Sequence, residues 1–263
     1  MIVAATLGLG LLIGLSLGAL GGGGSILTVP ALVYVLGQDA RAATTSSLFI
    51  VGITSVVAAL GHARSGRVRW GVGVVFGATG LAAGFVGTAV NRLVNPDVLL
   101  LSFAVVIVVA AVGMLVSSRG EEPAPQEDGA AQHARRWTPG RIGGVVGAGL
   151  LVGFMTGFFG VGGGFVVVPA LTLALGLPMP QAVATSLVVI SINSSGALLA
   201  RAGTAHFDWA VIVPFTLAAV AGSLGGKVVA DRLSAATLTR AFAVLLLAVA
   251  GYTATSSVVS LLG

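Results

Sequence analysis

The sequence predicts an all-α integral membrane protein built from two homologous repeats, each a glycine-broken segment followed by three transmembrane helices. Three observations carry that prediction. Composition is the first: of 263 residues 56% are hydrophobic and only 8% charged, where soluble domains carry about 25% charged residues. The second is a recurrence. Gly21-Gly22-Gly23-Gly24-Ser25-Ile26-Leu27-Thr28-Val29-Pro30 returns as Gly160-Val161-Gly162-Gly163-Gly164-Phe165-Val166-Val167-Val168-Pro169, and the same offset of 139 carries Trp70 onto Trp209 and Phe103 onto Phe242. Third, each glycine run interrupts an apolar stretch too long for one membrane helix. As a single helix residues 2–36 would reach about 52 Å, against a hydrocarbon core roughly 30 Å thick.

Residues 2–20 are apolar, with Gly8, Gly10, Gly14 and Gly18 spaced for close packing on a neighbouring helix. They lack the charged start of a cleaved signal, and residues 14–37 recur as 153–176, so they are expected to be structural. Four glycines then break the helix. A shorter apolar piece from Ser25 to Leu36 contains Pro30 and stops at Gly37, which makes the segment broken, re-entrant or folded back. Spans follow from about Ala43 to Gly61, Trp70 to Val90 and Val98 to Val116, with the basic loop His62 to Arg69 after the first. Residues 118–140 are polar and form the expected linker between a first repeat, 1–117, and a second, 141–263. The second repeat has a broken segment from Ile142 to Gly176 and spans from Ala182 to Ala200, Trp209 to Ala230 and Leu238 to about Leu262.

Charge decides how the repeats are related. If each broken segment crosses once, Lys and Arg divide eight to five between the two faces. If it enters and returns, only Arg41, Arg92 and Arg201 share one face and the other ten lie opposite. The positive-inside rule selects the second, inverted arrangement, with the linker and the Arg64–Arg69 loop in the cytoplasm of a cell whose plasma (inner) membrane holds the chain. The net charge of +5 is scattered singly over loops, which suits headgroups and orientation rather than nucleic acid.

Irregular backbone inside a bilayer is tolerated only where it is buried in protein or lines a cavity. Two matching breaks therefore point to a shared binding site near the midplane. The first-turn N–H groups of the short helices after the breaks suit an oxyanion, and the next span in each half supplies hydroxyls and one amide. The candidate substrate site comprises Gly22, Gly23, Gly24, Ser25, Ser46 and Ser47 with Gly162, Gly163, Gly164, Thr185, Ser186 and Asn193. His62 and His206 read as solvated loop residues, and Arg41 and Arg201 as orientation anchors, with attraction of an anion at the vestibule as their alternative role. All eight acidic residues lie in loops or at span ends, so no buried carboxylate relays protons or binds sodium. Cysteine is absent, which removes disulfides and thiol chemistry. No cofactor, metal or enzymatic activity is expected; the partners are a small anion and the bilayer, with self-association open.

Both glycine motifs resemble the sulfite exporter TauE/SafE family of membrane permeases, in which a Gly-x-Gly-Gly-Gly segment running into Val-Pro recurs in two halves. Here the matching stretches are Gly21 to Pro30 with Ala31-Leu32 and Gly160 to Pro169 with Ala170-Leu171. The pattern Ala184-Thr185-Ser186-Leu187, with Thr45-Ser46-Ser47-Leu48 as its counterpart, is similar as well. The resemblance implies movement of small sulfur-containing anions such as sulfite or organosulfonates. The alternatives are an anion or small-solute channel and a non-transporting membrane scaffold.

Overall fold

Gly21, at φ +67°, ends the first helix and turns the chain back along it, a left-handed conformation that glycine adopts without strain. The computed structural model describes residues 2–91, 93–94, 96–117, 139–159, 164–201 and 207–262. Among these the first half contains α1 (Ile2–Leu20), α2 (Gly23–Pro30) with a π-helical turn (Ala31–Val35), α3 (Ala40–Ala63), α4 (Trp70–Asn91) and α5 (Pro96–Ser117). The second contains α6 (Pro139–Phe159), α7 (Gly164–Pro169) with a π-helical turn (Ala170–Ala174), α8 (Met179–Ala200), α9 (Trp209–Arg232) and α10 (Ala235–Leu262). Six of these helices, α1, α3, α4, α6, α8 and α9, are long and apolar enough to cross a membrane.

The outer surface agrees with that reading. Leu12, Val109, Leu151, Leu217 and Val244 are each more than half exposed. In water such a surface would drive aggregation; in lipid it is what a helix must present.

Both broken segments are hairpins. A Cβ on Gly24 would lie 2.7 Å from the carbonyl oxygen of Ile13 and 2.6 Å from Leu17 Cβ, so α2 lies back against α1 instead of extending it. In the second half Leu175, just past the π-helical turn, comes within 3.9 Å of where a Gly144 Cβ would stand, near the start of α6. Each return ends in a glycine of positive φ, Gly37 or Gly176. The π-helical turns follow directly on Pro30 and Pro169; a proline ring has no N–H to give and crowds the carbonyl four residues back, and a widened turn absorbs both effects.

Small residues choose the helix partners. Gly10, Gly14 and Gly18 of α1 lie against the backbone of Phe215, Ala219 and Ser223 of α9, and Gly149, Gly153 and Gly157 of α6 against Phe76, Gly80 and Gly84 of α4. Both registers rise together, so each pair runs parallel. Every residue of the second set lies 139 from its counterpart in the first. Gly73 meets Val188 and Gly77 meets Ile192, which makes α4 parallel to α8, while Gly52 meets Ser194 and Arg201 reaches Thr45, which makes α3 antiparallel to α8. The largest apolar core joins Phe103 of α5, Phe165 of α7 and Phe242 of α10, with the Phe103 and Phe165 rings edge-on at 5.3 Å.

Candidate functional site

A cavity of about 580 Å³ enters the bundle between α3, α4, α6 and α8, within the 300–1,000 Å³ range of small-molecule sites. Its mouth lies where α4 and α8 end, at Asn91 and Arg201, beside Thr44 at the start of α3. Its walls descend past Thr88, Gly84 and Gly80 on one side and Ser194 and Asn193 on the other, to Ser25 and Val29 of α2. Eight residues of helix separate Arg201 from Asn193, about 12 Å of depth. Among the residues on this wall Arg201 alone carries a charge. Its guanidinium Nη1 lies 3.4 Å from Thr45 Oγ1, and it faces the negative ends of the α4 and α8 dipoles, which it offsets.

The floor is where the two breaks meet. Gly22 sits so close to the backbone of Gly164 that a Cβ there would collide with its carbonyl oxygen, and a Cβ on Gly164 would collide with Ser25 Oγ. The Ser25 hydroxyl donates to Gly22 O at 2.7 Å, a carbonyl that also accepts the Ser25 backbone N–H at 3.3 Å. Asn193 Oδ1 is buried with no hydrogen-bond partner among the described residues. An unpaired buried acceptor costs about 1–3 kcal/mol, so this amide is poised for a donor that the protein does not supply.

Of the predicted residues, Ser25, Ser47 and Asn193 come together on the cavity wall. Gly22, Gly23 and Gly24 lie below it and serve close packing, against Gly164, against Leu245 and Phe242, and against Ile13 and Leu17 respectively. Ser186 Oγ and Ser47 Oγ donate to carbonyls of their own helices, Val183 O and Thr44 O, both at 2.8 Å. Thr185 Oγ1 accepts the Arg69 backbone N–H at 3.1 Å, and Ser46 Oγ is buried without a partner among the described residues. Gly162 and Gly163 lie outside the described residues, as do His133 and His206. His62 corrects the sequence reading: α3 continues to Ala63 and carries this side chain inward, 1% exposed, with Nε2 3.0 Å from Gly18 O. Sequence reasoning also missed Asn91, whose amide ties α4 to Phe158 O.

The sulfite exporter TauE/SafE family model matches residues 6–253. Two relatives from Xylella fastidiosa, each a "probable membrane transporter protein", are 34% and 35% identical over 94% of this chain and 93% of their own. A probable membrane transporter protein of Methanocaldococcus jannaschii is 27% identical over 72% of this chain and 68% of its own, and YunE of Bacillus subtilis, of the same description, 26% over 83% and 84%. No solved structure matches. With membrane-length helices around a cavity and a family match over nearly its whole length, the chain belongs to the sulfite exporter TauE/SafE family, a family of membrane transporters and not of enzymes.

Proposed function

We propose that this transporter carries a small oxoanion, sulfite or an organosulfonate, through a site formed where the two helix breaks meet, in the plasma membrane of its cell. The observation that carries the reading is the cavity with Arg201 at its entrance, Ser47 one turn further in along α3, and Ser25 and Asn193 at depth. One cation and an amide NH2 suit a singly charged oxyanion, which takes several hydrogen bonds and one compensating charge; the Ser25 and Ser47 hydroxyls, whose protons here go to Gly22 O and Thr44 O, join them only by turning toward the substrate. The family description adds sulfur oxoanions to that chemistry. Closure of the floor by Gly22, Gly164 and Ser25 favours a carrier over an open channel, and the buried Asn193 Oδ1, an acceptor without a partner among the described residues, calls for a donor such as water or the O–H of a protonated oxyanion.

The arrangement we propose is an inverted repeat, 1–117 against 141–263 around a cytoplasmic linker. Its support is the recurrence of helix contacts at the 139 offset together with opposed directions, α1, α3 and α9 one way and α4, α6 and α8 the other. The hairpin form of both broken segments agrees with the charge count, which puts the cavity mouth on the outer face.

Proteoliposomes loaded with buffer and offered radiolabelled sulfite, sulfoacetate or sulfate, with and without a pH gradient, test the substrate. Saturable flux of sulfite or sulfoacetate in excess of sulfate is expected. Absence of flux for all three with correctly inserted protein would overturn the anion reading.

A further inference from the structure

We infer that the second half of the translocation route, shut in this structure, runs through the corner of α1, α3 and α9, and that Thr54, Ser55 and His62 line it when it opens. The inference rests on the carrier reading above. Subtracting 139 takes Asn193 to Thr54, Ser194 to Ser55, Ala197 to Ala58, Arg201 to His62 and Gly157 to Gly18, and adding it takes Gly84 to Ser223. These counterparts of the open wall are themselves gathered in one place. His62 Nε2 lies 3.0 Å from Gly18 O, and Gly18 is in backbone contact with Ser223. Thr54, Ser55, Ala58 and His62 repeat at helical spacing on one face of α3. All four are buried, none more than 1% exposed.

The corner is packed, yet its polar groups are not satisfied. Thr54 Oγ1, Ser55 Oγ and His62 Nδ1 have no hydrogen-bond partner among the described residues. Nothing in the packing of three helices calls for hydroxyls and an imidazole there, since apolar side chains of equal size would fill the space without orphaned atoms. A second conformation in which water or substrate reaches these atoms gives them a purpose, and a ligand that binds it better draws the population there. The end of the corner is held by charge. Arg67, in the loop between α3 and α4, pairs with Asp231 of α9, whose other oxygen receives Lys227 Nζ at 2.7 Å. The Arg67–Asp231 pair ties the loop to α9 across the route, and Lys227, one turn before Asp231 on the same helix, holds the carboxylate in place.

The chain has no cysteine, so single cysteines report accessibility directly. Full-length Ser55→Cys, Ala58→Cys and, in the open cavity, Ser47→Cys are reconstituted and exposed to a membrane-impermeant methanethiosulfonate on one face or the other, with sulfite flux measured in parallel. Ser47→Cys is expected to react from one face, Ser55→Cys and Ala58→Cys from the opposite face only. Sulfoacetate, which unlike sulfite does not react with the thiosulfonate reagent, should change the two sets of rates in opposite directions, several-fold. Adding Asp231→Asn to Ser55→Cys should raise its labelling several-fold. Labelling of Ser55→Cys and Ala58→Cys from the same face as Ser47→Cys, or from neither face even with Asp231→Asn, would overturn the inference. Sulfite flux alongside such failed labelling would leave the carrier reading standing, whereas opposed labelling without flux would remove only the substrate.

Discussion

Arg201 and Asn193 divide the work of an anion site between charge and hydrogen bonding. Arg201, at the mouth, attracts and orients, so Arg201→Gln should raise the KM for sulfite about tenfold, equivalent to ~1.4 kcal/mol, with maximal flux nearly kept, and Arg201→Lys should restore part of the loss. Concentration-dependent uptake at two ionic strengths checks this, because the contribution of an exposed charge fades with salt. Asn193 lies deeper with Oδ1 unpaired. Asn193→Ala should therefore leave the thermal midpoint in detergent unchanged or raised while lowering flux several-fold; a large fall in the midpoint would mean that the amide holds the fold instead. Ser25, Ser47 and Asn193 were legible in the sequence because a polar side chain inside an apolar run needs a reason. Arg201 was legible only as an alternative, since a cation at a helix end serves orientation equally well, and His62 was not, because only the direction in which the last turn of α3 faces distinguishes a buried imidazole from a loop one.

Helices here are joined by backbone approach through glycine. At the α4–α6 crossing a Cβ on Gly153 would collide with the backbone of Gly80, which no side-chain rotation relieves. Gly153→Val should lower stability by about 1–3 kcal/mol or more and deplete inserted protein. Gly147→Ala on the same helix, with nothing within 4 Å of the new carbon, should be neutral or slightly stabilising, since alanine is the better helix former. Thermal unfolding of the two variants side by side makes the comparison. Element existence was plain from the sequence, as were the two breaks and the stop at Gly37. The π-helical turns were not, because the proline that provokes them also permits a kink. Nor was the choice of α9 as the seat of α1 readable, since every glycine stripe offers the same close approach and only the assembled bundle selects among partners.

The whole molecule is read by its charges as oriented with the Arg64–Arg69 loop inside. Ser65 and Leu93 are both exposed and lie at the ends of α3 and α4 respectively. An impermeant maleimide added to intact cells should label Leu93→Cys and spare Ser65→Cys, with both labelled after permeabilisation; the reverse pattern would turn the protein over. The order of the repeats and the orientation are proposed from recurrences and charges that can be read in one dimension, whereas the cavity exists only once helices distant in the chain are side by side. The parallel docking of α1 on α9 also sets a timetable for synthesis. Gly10 and Phe215 are 205 residues apart, so at 5–20 residues per second the first helix waits about 10–40 s for the surface it fits. Until then its glycine stripe is an unfilled socket. A chain stalled before Trp209 would be left with that socket open, a mark by which quality control can tell a half-made transporter from a finished one, and two halves made as separate polypeptides should still find each other.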